Sequence, residues 1–163
     1  LSNIRIAPGQ GTEAITLDWL TTDQNTLDST HDLISAVLMA IGTDRRANAD
    51  DELPVDGDTD LRGWWGDSDA EEIWGGWQVG TRLWLLNRAK ITDENYKYGA
   101  TVARAKTYLI ECLQPFLDKK IATKLEVDVQ RYNETSISAS IVLYRGNNSL
   151  ISLQFQDLWD DIS

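Results

Sequence analysis

Five of the chain's seven tryptophans, Trp64, Trp65, Trp74, Trp77 and Trp84, crowd into one short stretch. Tryptophan is the largest apolar side chain, so such a cluster forms either a local core or a docking surface. Two runs carry it: Asp60-Leu61-Arg62-Gly63-Trp64-Trp65-Gly66-Asp67, then Gly80-Thr81-Arg82-Leu83-Trp84-Leu85-Leu86. Neither reading is a catalytic one.

With 163 residues, 42% of them apolar, the chain can bury a full core without metals or disulfides, and a single domain over 1–163 is expected. Cys112, the lone cysteine, falls in an apolar helical stripe and reads as a small buried hydrophobe, not a reactive thiol. No apolar run approaches the roughly 20 residues that cross a bilayer, and no charged and apolar leader is visible at the start. The reading is a soluble protein without membrane insertion. A net charge of −11 repels phosphate backbones, so nucleic acid is not an expected partner.

The charge is uneven. From Asp44 to Glu72 eleven acids face three arginines, a net of −8. Pro54 and several glycines fall there too, so about 43–80 reads as a long irregular excursion, acidic and rich in Gly and Trp.

Around it the periodicity is regular. Ile4 and Ile6 alternate before Pro8-Gly9-Gln10-Gly11, and Ile15, Leu17 and Trp19 after it, predicting two short strands joined by a turn. Leu33, Ile34, Val37, Leu38 and Ile41 share a helical face, with Ser29 and Asp32 at capping spacing and Gly42 at the stop. Leu83–Leu86, followed by Arg88 and Lys90, predicts a second, short helix. Thr92 opens a third and longest one, whose stripe is Tyr98, Val102, Ala105, Leu109, Cys112 and Phe116.

The last third alternates three times: Leu125, Val127, Val129; Ile137, Ala139, Ile141, Leu143; Ile151, Leu153, Phe155. Turns at Asn133-Glu134 and Gly146-Asn147-Asn148 make these an antiparallel three-stranded meander for the long helix to pack on. The fold class is α+β.

Catalytic inventory is thin. His31 stands alone at a helix start, where a solvated imidazole is the ordinary finding, and no motif supports pairing it with Cys112. Carboxylates are abundant enough for a glycosidase-type acid and base, but spacing does not fix one protonated and one ionised. The plainer reading is that these acids solvate a loop and pair with Arg45, Arg46 and Arg62.

Asp56, Asp58, Asp60 and Asp67 match positions one, three, five and twelve of an EF-hand loop, but Leu61 replaces its glycine, Asp67 its bidentate Glu, and no helix leads in. Gly75-Gly76 and Gly80 lack the Lys-Ser/Thr of a phosphate loop. No metal or cofactor is expected.

The Trp64-Trp65 pair remains. Gly63 and Gly66 on either side let the backbone turn sharply and aim the two rings in different directions, one toward the core and one toward a partner. On sequence alone a structural and an interface role stand side by side.

Thr43-Asp44-Arg45-Arg46-Ala47, Asp50-Asp51, Arg62-Gly63-Trp64-Trp65-Gly66-Asp67 and Gly80-Thr81-Arg82-Leu83-Trp84-Leu85-Leu86, with Arg88 and Lys90, together resemble the baseplate wedge protein family of phage Mu and related contractile-tailed phages and prophages. The resemblance spans about Ile15 to Phe155. More distantly, the element order is similar to the small, lysozyme-like wedge subunit of T-even phages. Where that wider family carries a Glu-Pro-Arg contact at the end of the long helix, this chain has Gln114-Pro115-Phe116, so the inherited contact is missing.

The resemblance implies a non-enzymatic virion subunit of the tail baseplate, assembled in the host cytoplasm. Its implied partners are other wedge proteins, a larger wedge subunit above all, and the tail tube or sheath. The candidate partner-interface residues are Arg45, Arg46, Asp50, Asp51, Arg62, Trp64, Trp65, Asp67, Arg82 and Trp84. The alternative is a carboxylate-dependent cell-wall glycan hydrolase.

Overall fold

The computed structural model describes residues 6–7, 18–19, 32–87, 100–133, 136–146 and 148–155. Its elements in chain order are β1 (Ile6–Ala7), β2 (Asp18–Trp19), α1 (Asp32–Gly42), α2 (Ala70–Trp74), α3 (Ala100–Asp118), β3 (Lys124–Arg131), β4 (Ile137–Arg145) and β5 (Asn148–Phe155). This is the expected α+β class: β1 and β2 pair antiparallel, and β3-β4-β5 form the antiparallel meander. Ser29, His31, Arg88, Lys90, Thr92, Tyr98, Glu134 and Asn147 lie outside the described residues.

α3 packs on β3, and the pattern of its sequence explains why. Val102, Ala105, Tyr108, Leu109, Cys112, Leu113 and Phe116, which recur at helical spacing, are all buried on one stripe. Pro115 falls in the last turn, near where the helix stops. Beyond it the amides of Ile121 and Ala122 both donate to the Phe116 carbonyl, closing the helix end as the chain swings into β3.

In the sheet, Val127 faces Ile141 and Val129 faces Ala139, while Ala139 faces Phe155 and Leu143 faces Ile151. These side chains are buried together with Val37, Leu38 and Ile41 of α1, so helices and sheet share one core.

The excursion departs from expectation in two ways. It is not wholly irregular: a 3-10 turn at Trp65–Asp69 runs straight into α2. Those residues carry four acids and three glycines nearby, which hides a short helical segment from periodicity. The helix expected at Leu83–Leu86 is a single 3-10 turn with all four side chains buried. Without a solvent face, an apolar run has no helical period to display.

The excursion's ends meet. Asp44 and Thr81 form an isolated parallel bridge, with the Arg45 amide donating to the Thr81 carbonyl at 3.0 Å and the Thr81 amide to the Thr43 carbonyl at 2.8 Å. Ala47 adds a bond to the Leu61 carbonyl at 2.9 Å. The segment therefore leaves and rejoins the body at one point.

Candidate docking site

Three braces hold the excursion against the body. The first is Arg82. Its Nη1 donates to both oxygens of Asp51 at 3.0 and 2.8 Å, and its Nε and Nη2 donate to Glu111 Oε2 at 3.2 and 2.7 Å. Arg45 reaches the other oxygen of Glu111 at 3.3 Å, and Tyr108 lies under the Arg82 guanidinium at 4.9 Å. Burial works against the Arg82 charge, but its hydrogen bonds to Glu111 and Asp51 outweigh that and raise its pKa above the ordinary arginine value. Charge-assisted bonds of this kind are the strong ones, and here they join the excursion to α3.

Trp84 is the second brace. Its ring is buried, and its Nε1–H donates to the Arg45 carbonyl at 2.8 Å, across 39 residues of chain. The Arg62 guanidinium stacks on the same ring at 4.6 Å and donates to Asp44 Oδ2 at 2.6 Å. Asp60 accepts the Arg62 amide and Asp58 the Asp60 amide, so these carboxylates shape a turn. Among the described residues no group of three or more His, Cys, Asp or Glu side chains is placed to hold a metal ion.

The third brace is the Gly-Trp-Trp-Gly-Asp run itself. Gly63 has a φ of +120°, a conformation that favours glycine. Asp67 accepts the Val79 amide on Oδ1 at 3.0 Å, and the Asp67 amide donates to the Trp64 carbonyl at 3.0 Å. Its Oδ2 is buried without a partner. Ser68 donates to the Trp65 carbonyl at 2.9 Å, and Ala70 is buried beneath the turn. Trp77 meets Phe116 of α3 edge to face, ring centroids 5.4 Å apart.

The two neighbouring indoles do not point apart as expected: their centroids are 5.4 Å from each other and their planes meet at 49°. The reason is Gly66, whose φ is not positive and whose role is space for the Trp64 ring. Burial still separates them. Trp64 is half-buried, whereas Trp65 is 82% exposed.

Of the ten candidate interface residues, Arg45, Asp51, Arg62, Asp67, Arg82 and Trp84 thus bond within the chain, Trp64 is half-buried, and Arg46, Asp50 and Trp65 face solvent. The pairing of the acids also differs in detail from expectation. Arg62 does take Asp44, but Arg45 takes Glu111 of α3, and Arg46 reaches only the Arg62 carbonyl at 3.5 Å. Sequence reasoning missed Glu111 and Tyr108 altogether. Their partner Arg82 stands far from Glu111 in sequence, at a separation of 29 residues, and no local spacing signals such a pair.

Chemically, the site offers recognition. Glu111 is committed to two guanidinium groups and Asp67 to a backbone amide. Cys112 is buried, its thiol donating to the Ala40 carbonyl at 3.1 Å, and burial pushes its pKa up to about 12. The expected burial of Cys112 holds. Among the described residues no helix is long and apolar enough to cross a membrane.

Sequence comparison decides the family. The model of the family described as "Phage protein GP46" matches residues 33–150. The chain belongs to that family. Baseplate protein gp46 of Escherichia phage Mu is 32% identical over 146 residues, covering 90% of this chain and 87% of the relative. Mu-like prophage FluMu protein gp46 of Haemophilus influenzae is 28% identical over 149 residues, covering 91% and 86%. The likeness to a Mu-type baseplate family, first read from the Gly-Trp-Trp-Gly-Asp run, is borne out. For this GP46-family chain, the braced excursion is among the residues that the family model matches.

Proposed function

We propose that the chain is a non-enzymatic structural subunit of a contractile phage or prophage tail baseplate. It joins wedge proteins, a larger wedge subunit above all, to one another and to the tail tube or sheath. It assembles in the host cytoplasm and ends in the virion tail, folded as one domain. The name of the phage Mu relative supports the baseplate role.

The observation that carries the docking role is Trp65, 82% exposed on a turn tied down at both ends. Leaving a large apolar side chain in water forgoes roughly 2–3 kcal/mol of burial, a cost that a partner removes on assembly. In this reading Arg46, Asp50, Trp64 and Trp65 meet the partner. Arg45, Asp51, Arg62, Asp67, Arg82 and Trp84 keep that surface in shape.

Deleting the gene and imaging the resulting particles tests the role. Tails without baseplates, restored by the wild-type chain, are expected, and the chain should be present in purified tails. Normal tails from the deletion contradict it. Release of reducing ends from peptidoglycan above a heat-killed control would contradict the non-enzymatic half.

A further inference from the structure

The docking segment has a charge sign that its arginine-rich neighbourhood hides. Trp65–Trp74 reads Trp-Gly-Asp-Ser-Asp-Ala-Glu-Glu-Ile-Trp, four acids and no base. Asp67 is turned inward to Val79, which leaves Asp69, Glu71 and Glu72 exposed on the segment that also exposes Trp65 at 82% and Ile73 at 61%. Among the described residues no cation pairs with these three carboxylates. Three of the excursion's guanidiniums are engaged elsewhere, Arg62 on Asp44, Arg82 on Asp51 and Glu111, and Arg45 on Glu111, while Arg46 reaches the Arg62 carbonyl.

We propose that Trp65–Trp74 is a knob for one kind of occupant: a different protein whose surface offers an apolar socket for Trp65 rimmed by lysines or arginines. The inference rests on the baseplate reading and gives that partner its chemistry. A second copy is a poor occupant, because two such segments would set carboxylates against carboxylates on chains that each carry −11. Nucleic acid and anionic lipid are repelled by the same field. A basic rim answers the acidic collar and speeds encounter, while the indole, desolvated in its socket, sets the lifetime of the complex.

The test is binding kinetics of the full chain against the purified larger product of the neighbouring baseplate gene, at about 50 and about 300 mM NaCl. Trp65→Ala should weaken binding on the order of 30-fold, chiefly through faster dissociation, with unchanged melting. The triple change Asp69→Asn, Glu71→Gln, Glu72→Gln should slow association at low salt and lose most of that effect at high salt. Tyr132→Ala, an exposed aromatic outside the knob, should bind as wild type.

Wild-type dissociation from Trp65→Ala, or wild-type association from the triple variant at low salt, overturns the knob and leaves the baseplate reading standing. A dimer of this chain that Trp65→Ala dissolves overturns it too. If the wild-type chain binds at neither salt, both readings fall.

Discussion

A methyl group built on Gly66 would stand 2.4 Å from the Trp64 ring. Three atoms of that ring lie within 2.8 Å of the same point, so the indole cannot relieve the clash by moving its tip. The glycine after the tryptophan pair is thus a seat for the first ring, and the seated ring lies beside Trp65 at 5.4 Å.

Gly66→Ala should therefore destabilise the fold by about 1–3 kcal/mol, the usual cost of forcing a packed side chain out of place. Urea unfolding measures it, and altered fluorescence of the displaced indole should accompany the loss. A variant as stable as wild type would mean that Trp64 is loosely held.

Gly80 is hemmed in by backbone instead of a side chain. Its φ is +115°, and a Cβ there would lie 2.6 Å from the Thr43 carbonyl oxygen and 2.8 Å from the Arg45 nitrogen, both backbone atoms. Gly80→Ala should cost more than about 3 kcal/mol, since strain and clash add. Hydrogen exchange should locate the damage, with the Arg45 and Thr81 amides losing protection first.

Arg82 joins Asp51 to Glu111 while its side chain is only 12% exposed. Arg82→Met leaves the partly buried Asp51 without its cation and Glu111 with Arg45 alone, and should destabilise by roughly 2–4 kcal/mol. Arg82→Lys keeps the charge but not the forked donors, so it should recover only part of the loss. Thermal or urea unfolding of the two variants side by side checks the order.

Cys112 supplies a pH signature. Burial pushes its thiol up to about 12, while the unfolded thiol ionises at its ordinary value. The native state therefore holds the proton more tightly. This group costs no stability below the ordinary thiol range and favours the unfolded chain increasingly as pH rises toward about 12, by at most about 1.4 kcal/mol per pH unit. Cys112→Ala should flatten that part of the stability profile relative to wild type. Alkylation of the native thiol by iodoacetamide should be slow and accelerate on unfolding.

Much of the body was legible because its elements keep a simple period. The α3 stripe from Val102 to Phe116 and the alternation in β3, β4 and β5 each show one buried face, and the residues named there from spacing are buried except Leu125 and Leu153, which are partly so. At Leu83–Leu86 the expected short helix is a 3-10 turn, a difference its all-round burial hides, and the 3-10 turn at Trp65–Asp69 and α2 escaped because they are too short and acidic to show a stripe. At the candidate site, residue types were legible and partners were not. The run of Trp, Arg and Asp supplies the side chains of the braced excursion, yet the ties of Arg82 to Glu111 and Trp84 to Arg45 depend on chain closure that no local spacing encodes.

In the proposed role the braced excursion is scaffolding that presents Trp65 outward. Complementing a deletion of the gene with Trp65→Ala, and melting the same purified variant, tests it most directly. The expected result is a melting temperature within roughly 2 °C of wild type, as for other exposed substitutions, together with particles that lack assembled baseplates. Normal particles made with the stable Trp65→Ala chain would contradict it.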